Sequence, residues 1–192
     1  MSLDWKASRS GGLQGTFTVP GDKSISHRAI MLAALAEGES RIEGFLEGED
    51  TRATARIFSQ LGVRIETPDA HTRIVHGAGL HGLKASSEPL DCGNAGTGMR
   101  LLAGLLSAQA FDSVLVGDAS LSKLPMARVI GLLETMGARI DARDGNFAPL
   151  RIQGGRTLRG QVLDTRVASA QVKSALIFAA LYAEGETVIT EP

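Results

Sequence analysis

Residues 33–44, AALAEGESRIEG, return near the other end of the chain as AALYAEGETVIT, residues 179–190. Each copy finishes a helix-period apolar run, breaks at Glu-Gly-Glu and enters an alternating, strand-like stretch. Between them GMRLLAGLLSAQAFDSVLVG, residues 98–117, follows the same course with a different turn. A second echo lies downstream: LGVRIE at Leu61 returns as MGARID at Met136, and RIVHG and LRIQG each end at a glycine, Gly77 and Gly154. Helix-period stretches precede the second echo, at Thr51–Gln60 and Pro125–Thr135, and each glycine after them stands where a helix C-cap would turn into a strand. A period in the seventies is too long for the usual solenoids. The pattern predicts an α/β (α+β) chain of helix-strand-helix-strand-strand units, each led in by a further strand, arranged about a pseudo-threefold axis. The units run 21–90, 91–163 and 164–192, and the third, with 29 residues, is incomplete. On this reading the chain is part of something longer.

The same alignment superimposes three helix openings: GDKSISHR, CGNAGTGMR and RVASAQVKS. Small, hydroxyl or amide residues come first in each, and a cation, Arg28, Arg100 or Lys173, follows about a turn later. A helix start leaves four backbone N–H groups free and carries about half a positive charge. Small residues let an anion approach those groups, and hydroxyls and cations satisfy its oxygens. One such opening is ordinary capping; three in register predict a site for multiply charged, phosphorylated small molecules. Each helix end contributes only about 0.3–1 kcal/mol, so side-chain charge must supply most of the affinity.

Other chemistries fit poorly. GDKS lacks the glycine spacing of a phosphate-binding P-loop, and GAGLHG, residues 77–82, opens no helix, so it reads as a loop rather than a dinucleotide turn. His27, His71, His76 and His81 lack metal-ligand spacing, and the last three read as solvated loop or strand-edge residues. Cys92, the single cysteine, reads as a small buried residue. A net charge of −1 and 4% aromatics give no footprint for nucleic acid. Neither a membrane-length apolar run nor a secretory leader is visible, which points to a cytoplasmic address.

The stretches PGDKSISHRAI, LEGEDT, LDCGNAGTGMRLL, GDASLSK-PM and VASAQVKSAL resemble the EPSP synthase (3-phosphoshikimate 1-carboxyvinyltransferase) family, in family order and over nearly the whole chain. The sister transferase acting on UDP-N-acetylglucosamine opens with a Gly-Ala-Lys-Asn type sequence, so Lys23-Ser24 favours the shikimate enzyme. The resemblance implies two domains of three βαβαββ-type units forming an enolpyruvyl transferase-like prism. Residues 1–20 would be an arm packing with the second domain, and 21–192 most of the first. It implies transfer of the enolpyruvyl group of phosphoenolpyruvate (PEP) to the 5-hydroxyl of shikimate 3-phosphate, a step of the shikimate pathway to chorismate and the aromatic amino acids, with no metal or organic cofactor.

By matched position, Lys23 would lie between the substrates as the catalytic residue of this half. Ser24 and Arg28 would hold the shikimate side, while Ser169, Ala170 (through its N–H) and Gln171 would grip the 3-phosphate and ring. Asn94, Ala95 and Gly96 would floor the PEP subsite, with Gln171 reaching PEP; bulk at Gly96 would also crowd the inhibitor glyphosate. One position departs: the family's PEP-clamping arginine before Pro-Met is Leu124 here, which cannot donate a fork of hydrogen bonds. Lys123 and Arg128 are near in sequence, but Arg128 is usual in related sequences and is no evident replacement. The family's acid–base Asp, Glu and Lys belong to the second domain, so the chain alone is expected not to turn over. The alternative is a non-catalytic half-domain that binds shikimate phosphate.

Overall fold

The computed structural model describes residues 4–9, 11–12 and 14–192. Met1–Leu3, the start of the proposed arm, lie outside the described residues, as do positions 10 and 13. The first unit runs α1 (Lys23–Leu35), β1 (Glu37–Ile42), α2 (Glu49–Gln60), β2 (Arg64–Asp69) and β3 (Thr72–Ala78), with its strands in an antiparallel sheet of order β1-β3-β2. The second runs β4 (Leu90–Asp91), α3 (Gly96–Leu106), β5 (Ser113–Val116), α4 (Ala127–Thr135), β6 (Ile140–Arg143) and β7 (Phe147–Ile152), with a 3₁₀ turn at Leu121–Lys123. Its sheet order is β4-β5-β7-β6, and β4 lies parallel to β5 across the α3 connection. β8 (Val162–Asp164), α5 (Ala170–Ala180) and β9 (Val188–Thr190) follow, and β8 pairs parallel with β9 in the same manner. Helices and mixed sheets thus alternate as an α/β chain.

The downstream echo has a local cause. α2 and α4 end in the same hydrogen-bonded cap. Val63 N–H reaches Phe58 O at 2.9 Å and Gly62 N–H reaches Ser59 O at 3.1 Å; Ala138 to Leu133 at 3.1 Å and Gly137 to Glu134 at 3.0 Å repeat it. Gly62 (φ 91°) and Gly137 (φ 106°) occupy the left-handed position this cap requires, which explains why LG-V and MG-A recur.

Two sequence expectations need correcting. No strand leads into α1 among the described residues: the β1 edge that β4 and β8 fill in the later units is open, and Phe17 and Val19 stand in solvent. The Glu-Gly-Glu break also differs between copies. Glu37 already opens β1, whereas the third copy regains a strand only at Val188.

α3 is the central helix. From Gly98 to Leu106 every residue except Arg100 is buried, as expected of a helix apolar on nearly all sides. It packs against α2, α4 and α5. That placement brings the amino ends of several helices toward one another.

Candidate functional site

α1 is docked on the loop and helix that follow it. Asp22 caps α1 by accepting the Ile25 N–H at 2.7 Å. Ser26 Oγ donates to Asp22 O at 2.8 Å and accepts Leu46 N–H at 3.0 Å. Two rungs then join α1 to α2: Lys23 Nζ to Asp50 Oδ2 at 2.8 Å, and His27 Nδ1 to Thr54 Oγ1 at 2.7 Å. The KSISHR and LEGEDT stretches are therefore two sides of one contact. Arg28 and Ser24 are half-buried on the same helix.

His27 is fully buried, and its Nε2 has no hydrogen-bond partner among the described residues. Burial pulls its pKa from 6.5 to about 4; Asp50 opposes that shift, and the charges of Lys23 and Arg28 reinforce it. The unfolded imidazole protonates as pH falls through 6.5, the folded one only near 4. Stability is then fully present above pH 6.5 and lost progressively toward pH 4. The expected loss across that window is about 3 kcal/mol. Urea unfolding at a series of pH values between 7 and 5 should show the slope, and His27→Gln should flatten it. Identical slopes in the two proteins would exclude His27 as the cause.

The second opening is built differently. Asn94 Nδ2 donates to Asp118 Oδ2 at 2.7 Å, while Asp118 Oδ1 accepts Leu121 and Ser120 N–H at 2.7 and 2.9 Å. Those bonds, that from Leu121 first, hold the Asp118 carboxyl below its ordinary range. Ala95 is buried, and a Cβ added at Gly96 would lie 2.7 Å from Leu124 Cδ2 and 3.5 Å from Arg100 Nη1. Leu124 thus sits over the glycine that was expected to floor the PEP subsite.

α3 and α5 open side by side, and Gln171 joins them. Its Oε1 accepts from Arg100 Nη1 at 2.6 Å and its Nε2 donates to Thr97 Oγ1 at 3.0 Å. Arg100 Nη2 also donates to Pro125 O at 3.0 Å. Ser169 caps α5, its Oγ accepting Val172 N–H at 3.4 Å, and Ala170 is the exposed first residue of the helix. The cation of this third opening is already matched. Lys173 is ion-paired with Glu191, which also accepts Ser169 N–H at 3.2 Å. Lys173 first, then Ser169, hold the Glu191 carboxyl below its ordinary range.

A cavity of about 440 Å³ lies at this junction, lined by Arg100, Leu124, Arg128, Asn146, Ser169 and Gln171 among others. Asn146 Oδ1 accepts the N–H groups of Met126 and Ala127 at 2.9 and 2.7 Å, so the start of α4 opens here too. The helix ends that line it are those of α3, α4 and α5. Lys23 is not in its wall, and Asn94 lines a separate groove with Glu49, Arg52, Arg56 and Asp118. α1 adjoins α3 where a Cβ at Gly98 would lie 3.5 Å from His27 Cε1. Ser169, Gln171 and Leu124 are thus brought together and Gly96 adjoins them, while Lys23, Ser24, Arg28 and Asn94 do not line this cavity.

Sequence reasoning missed Asp50, Asp118, Asn146 and Glu191, and set Arg128 aside. Asp50 could have been found: with Thr54 it repeats the four-residue step from Lys23 to His27. Asn146 and Glu191 act across 20 or 18–22 residues with no local pattern. Cys92 is buried, with its thiol pushed up to about 12 by burial and then by Asp91. His71 and His81 are exposed and His76 half-buried; His76 Nε2 lies 2.7 Å from Glu66 Oε1. No described helix is long and apolar enough to cross a membrane.

A family model for EPSP synthase (3-phosphoshikimate 1-carboxyvinyltransferase) matches residues 8–192. The chain belongs to the EPSP synthase family. It is 65% identical over 188 residues to the 3-phosphoshikimate 1-carboxyvinyltransferases of Xanthomonas campestris pv. campestris strain 8004 and Xanthomonas axonopodis pv. citri strain 306, covering 98% of this chain and 43% of each relative. An EPSP synthase structure from Acinetobacter baumannii superimposes with a TM-score of 0.90 at 55% identity, over 93% of this chain and 40% of that one. The chain therefore spans less than half the length of the curated family members it matches. Within that span lie the Gln171 junction, the Lys23–Asp50 rung and the departure at Leu124.

Proposed function

We propose that these 192 residues form the shikimate-phosphate side of an EPSP synthase, with PEP and shikimate 3-phosphate as the substrates of the whole enzyme. The observation that carries this reading is the hold on Gln171. Arg100 and Thr97 fix both ends of its amide at the joint opening of α3 and α5, beside Ser169. A side-chain amide locked in that way presents one defined face to a bound ring.

In the reaction the 5-hydroxyl of shikimate 3-phosphate gives up its proton and attacks C2 of PEP as C3 is protonated, and the tetrahedral adduct then loses phosphate from C2 and a proton from C3 to leave the enolpyruvyl ether. Lys23, Ser24 and Arg28 serve from α1, Ser169, Ala170 and Gln171 from α5, and Asn94, Ala95 and Gly96 from the α3 opening. Asp50 keeps Lys23 oriented at 2.8 Å until substrate oxygens compete for its remaining donors. The three units are related by a rough rotation, with residues 21–192 as the first domain and 1–20 as an arm to the second; the address is cytoplasmic. Because the acid–base groups belong to the remainder of the enzyme, and such groups contribute about 10²–10⁴-fold, this stretch alone binds without turnover.

Calorimetric titration with shikimate 3-phosphate tests the reading. Saturable binding is expected, weakened about tenfold by Ser169→Ala, the loss of one hydrogen bond to a charged group. A flat titration would refute it, and EPSP formation by the stretch alone would refute the claim of inactivity. A permanently non-catalytic, anion-binding half-domain is the second reading, favoured by Leu124. Joining the chain to a relative's second domain separates the two: an enzyme half regains turnover and a degenerate one does not.

A further inference from the structure

The cations at the helix openings divide into two kinds. Lys23 is paired with Asp50 at 2.8 Å and Lys173 with Glu191. Arg100 and Arg128 have no ion-pair partner among the described residues, and both line the 440 Å³ cavity, whose lining residues include no carboxylate. Arg100 is half-buried and spends its contacts on Gln171, on Pro125 O and, weakly, on Gly96 O at 3.5 Å, all neutral acceptors. Arg128 is exposed, in the first turn of α4. The two charges are close enough to interact: after burial, Arg128 is what pulls Arg100 below its ordinary pKa. Two guanidinium groups lining one cavity without a carboxylate repel one another, and α4's own N-terminus adds to the positive field. The clamp that the family resemblance implies at position 124 is here a leucine lying over Gly96, so these two arginines are the cations that line the cavity.

We propose that Arg128 is an anion ligand of this cavity, which with Arg100 binds a phosphate or carboxylate group that residue 124 cannot hold. The inference rests on the reading of the cavity as a substrate site, and it corrects the sequence-based judgement that Arg128 is no replacement. Physically the substitution is available because Arg128 projects from the turn after Leu124-Pro125, and Asn146 fixes that turn by taking the N–H groups of Met126 and Ala127. The anion is thereby moved off the Gly96 floor, where Leu124 offers only methyl groups, to the wall formed by α3 and α4. A guanidinium can meet two oxygens of one oxyanion at once, so the cavity selects planar carboxylate or phosphate over single-point acceptors.

Inorganic phosphate is the probe, titrated at low and at physiological salt and followed by chemical-shift changes of the arginine side chains. The unsubstituted chain should saturate and Arg128→Ala should weaken binding at least about tenfold, as expected for a lost charge-assisted bond. Arg128→Lys should recover part of the loss, and Arg156→Ala, at a residue that lines a different groove, should have no effect. Because Arg128 is exposed, its variants keep the fold, which an unchanged urea midpoint verifies. No phosphate binding, equal affinity with Arg128→Ala, or an equal loss with Arg156→Ala overturns the proposal. Shikimate 3-phosphate and PEP, titrated separately into the same proteins, show whose oxyanion Arg128 takes. Phosphate binding without any response to shikimate 3-phosphate would leave the Arg128 assignment standing while refuting the functional reading.

Discussion

Gly104→Ala should lower the stability of the chain by about 1–3 kcal/mol, and Gly104→Val by more. An added Cβ would stand 2.0 Å from Ala175 O, 2.7 Å from its carbonyl carbon and 2.9 Å from its Cα. All three atoms belong to the backbone of α5, so no side chain can swing aside. Alanine is intrinsically better than glycine inside a helix by about 1 kcal/mol, and the propensity effect alone would make the substitution stabilising. Overpacking wins because both helices are core elements. α3 carries Leu101, Leu102 and Leu105 into the interior, and Ala175 and Leu176 of α5 are fully buried, so separating them opens packing on both sides. The damage also reaches the site. Moving α5 away stretches the Arg100–Gln171 and Thr97–Gln171 bonds, now 2.6 and 3.0 Å, and loosens the amide that the functional reading depends on. Urea midpoints measure the first effect and shikimate 3-phosphate affinity the second. A neutral or stabilising Gly104→Ala would show that α3 and α5 do not approach this closely.

Much of this was legible in the chain because it is local. The Leu-Gly and Met-Gly steps at 61–62 and 136–137 specify a helix cap through one hydrogen-bonding geometry, and that cap recurs where the sequence does. The Lys23, Gln171 and Gly96 stretches could be placed at helix starts because capping residues, small residues and the following apolar period all occur within a dozen positions. What periodicity does not encode is which charge meets which. Lys173 reads in sequence as a cation for a bound anion and is matched by Glu191, 18 residues on, whereas Arg128, set aside in sequence, lies in the cavity wall. A leading strand for α1 was inferred from the other two units, but strand pairing needs a partner held across the sheet, and residues 14–20 make no such ladder. The convergence on the cavity involves α4, whose start has no phosphate-like signature because a distant asparagine supplies its cap.

Leu124→Arg should raise the affinity for PEP by about 10- to 100-fold, the equivalent of one charge-assisted hydrogen bond or a little more at about 1.5–3 kcal/mol. Leu124 is 36% exposed at the mouth of the cavity, so a longer side chain can extend toward solvent and ligand without displacing the core. Its present contact with Gly96 would be given up, uncovering the backbone of the α3 opening. Against the gain stands a third guanidinium beside Arg100 and Arg128, so the ligand-free protein should be slightly less stable and the gain should shrink as salt screens the site. The two arginine positions should also be non-additive. If Arg128 serves where residue 124 cannot, Arg128→Ala will weaken oxyanion binding strongly in the unsubstituted chain and only slightly in the Leu124→Arg background. Residues sharing one ligand couple in this way, whereas independent surface charges add. Additive effects on PEP affinity would therefore mean that the two side chains address different oxyanions. An unchanged affinity in Leu124→Arg would mean that position 124 does not face PEP in this chain.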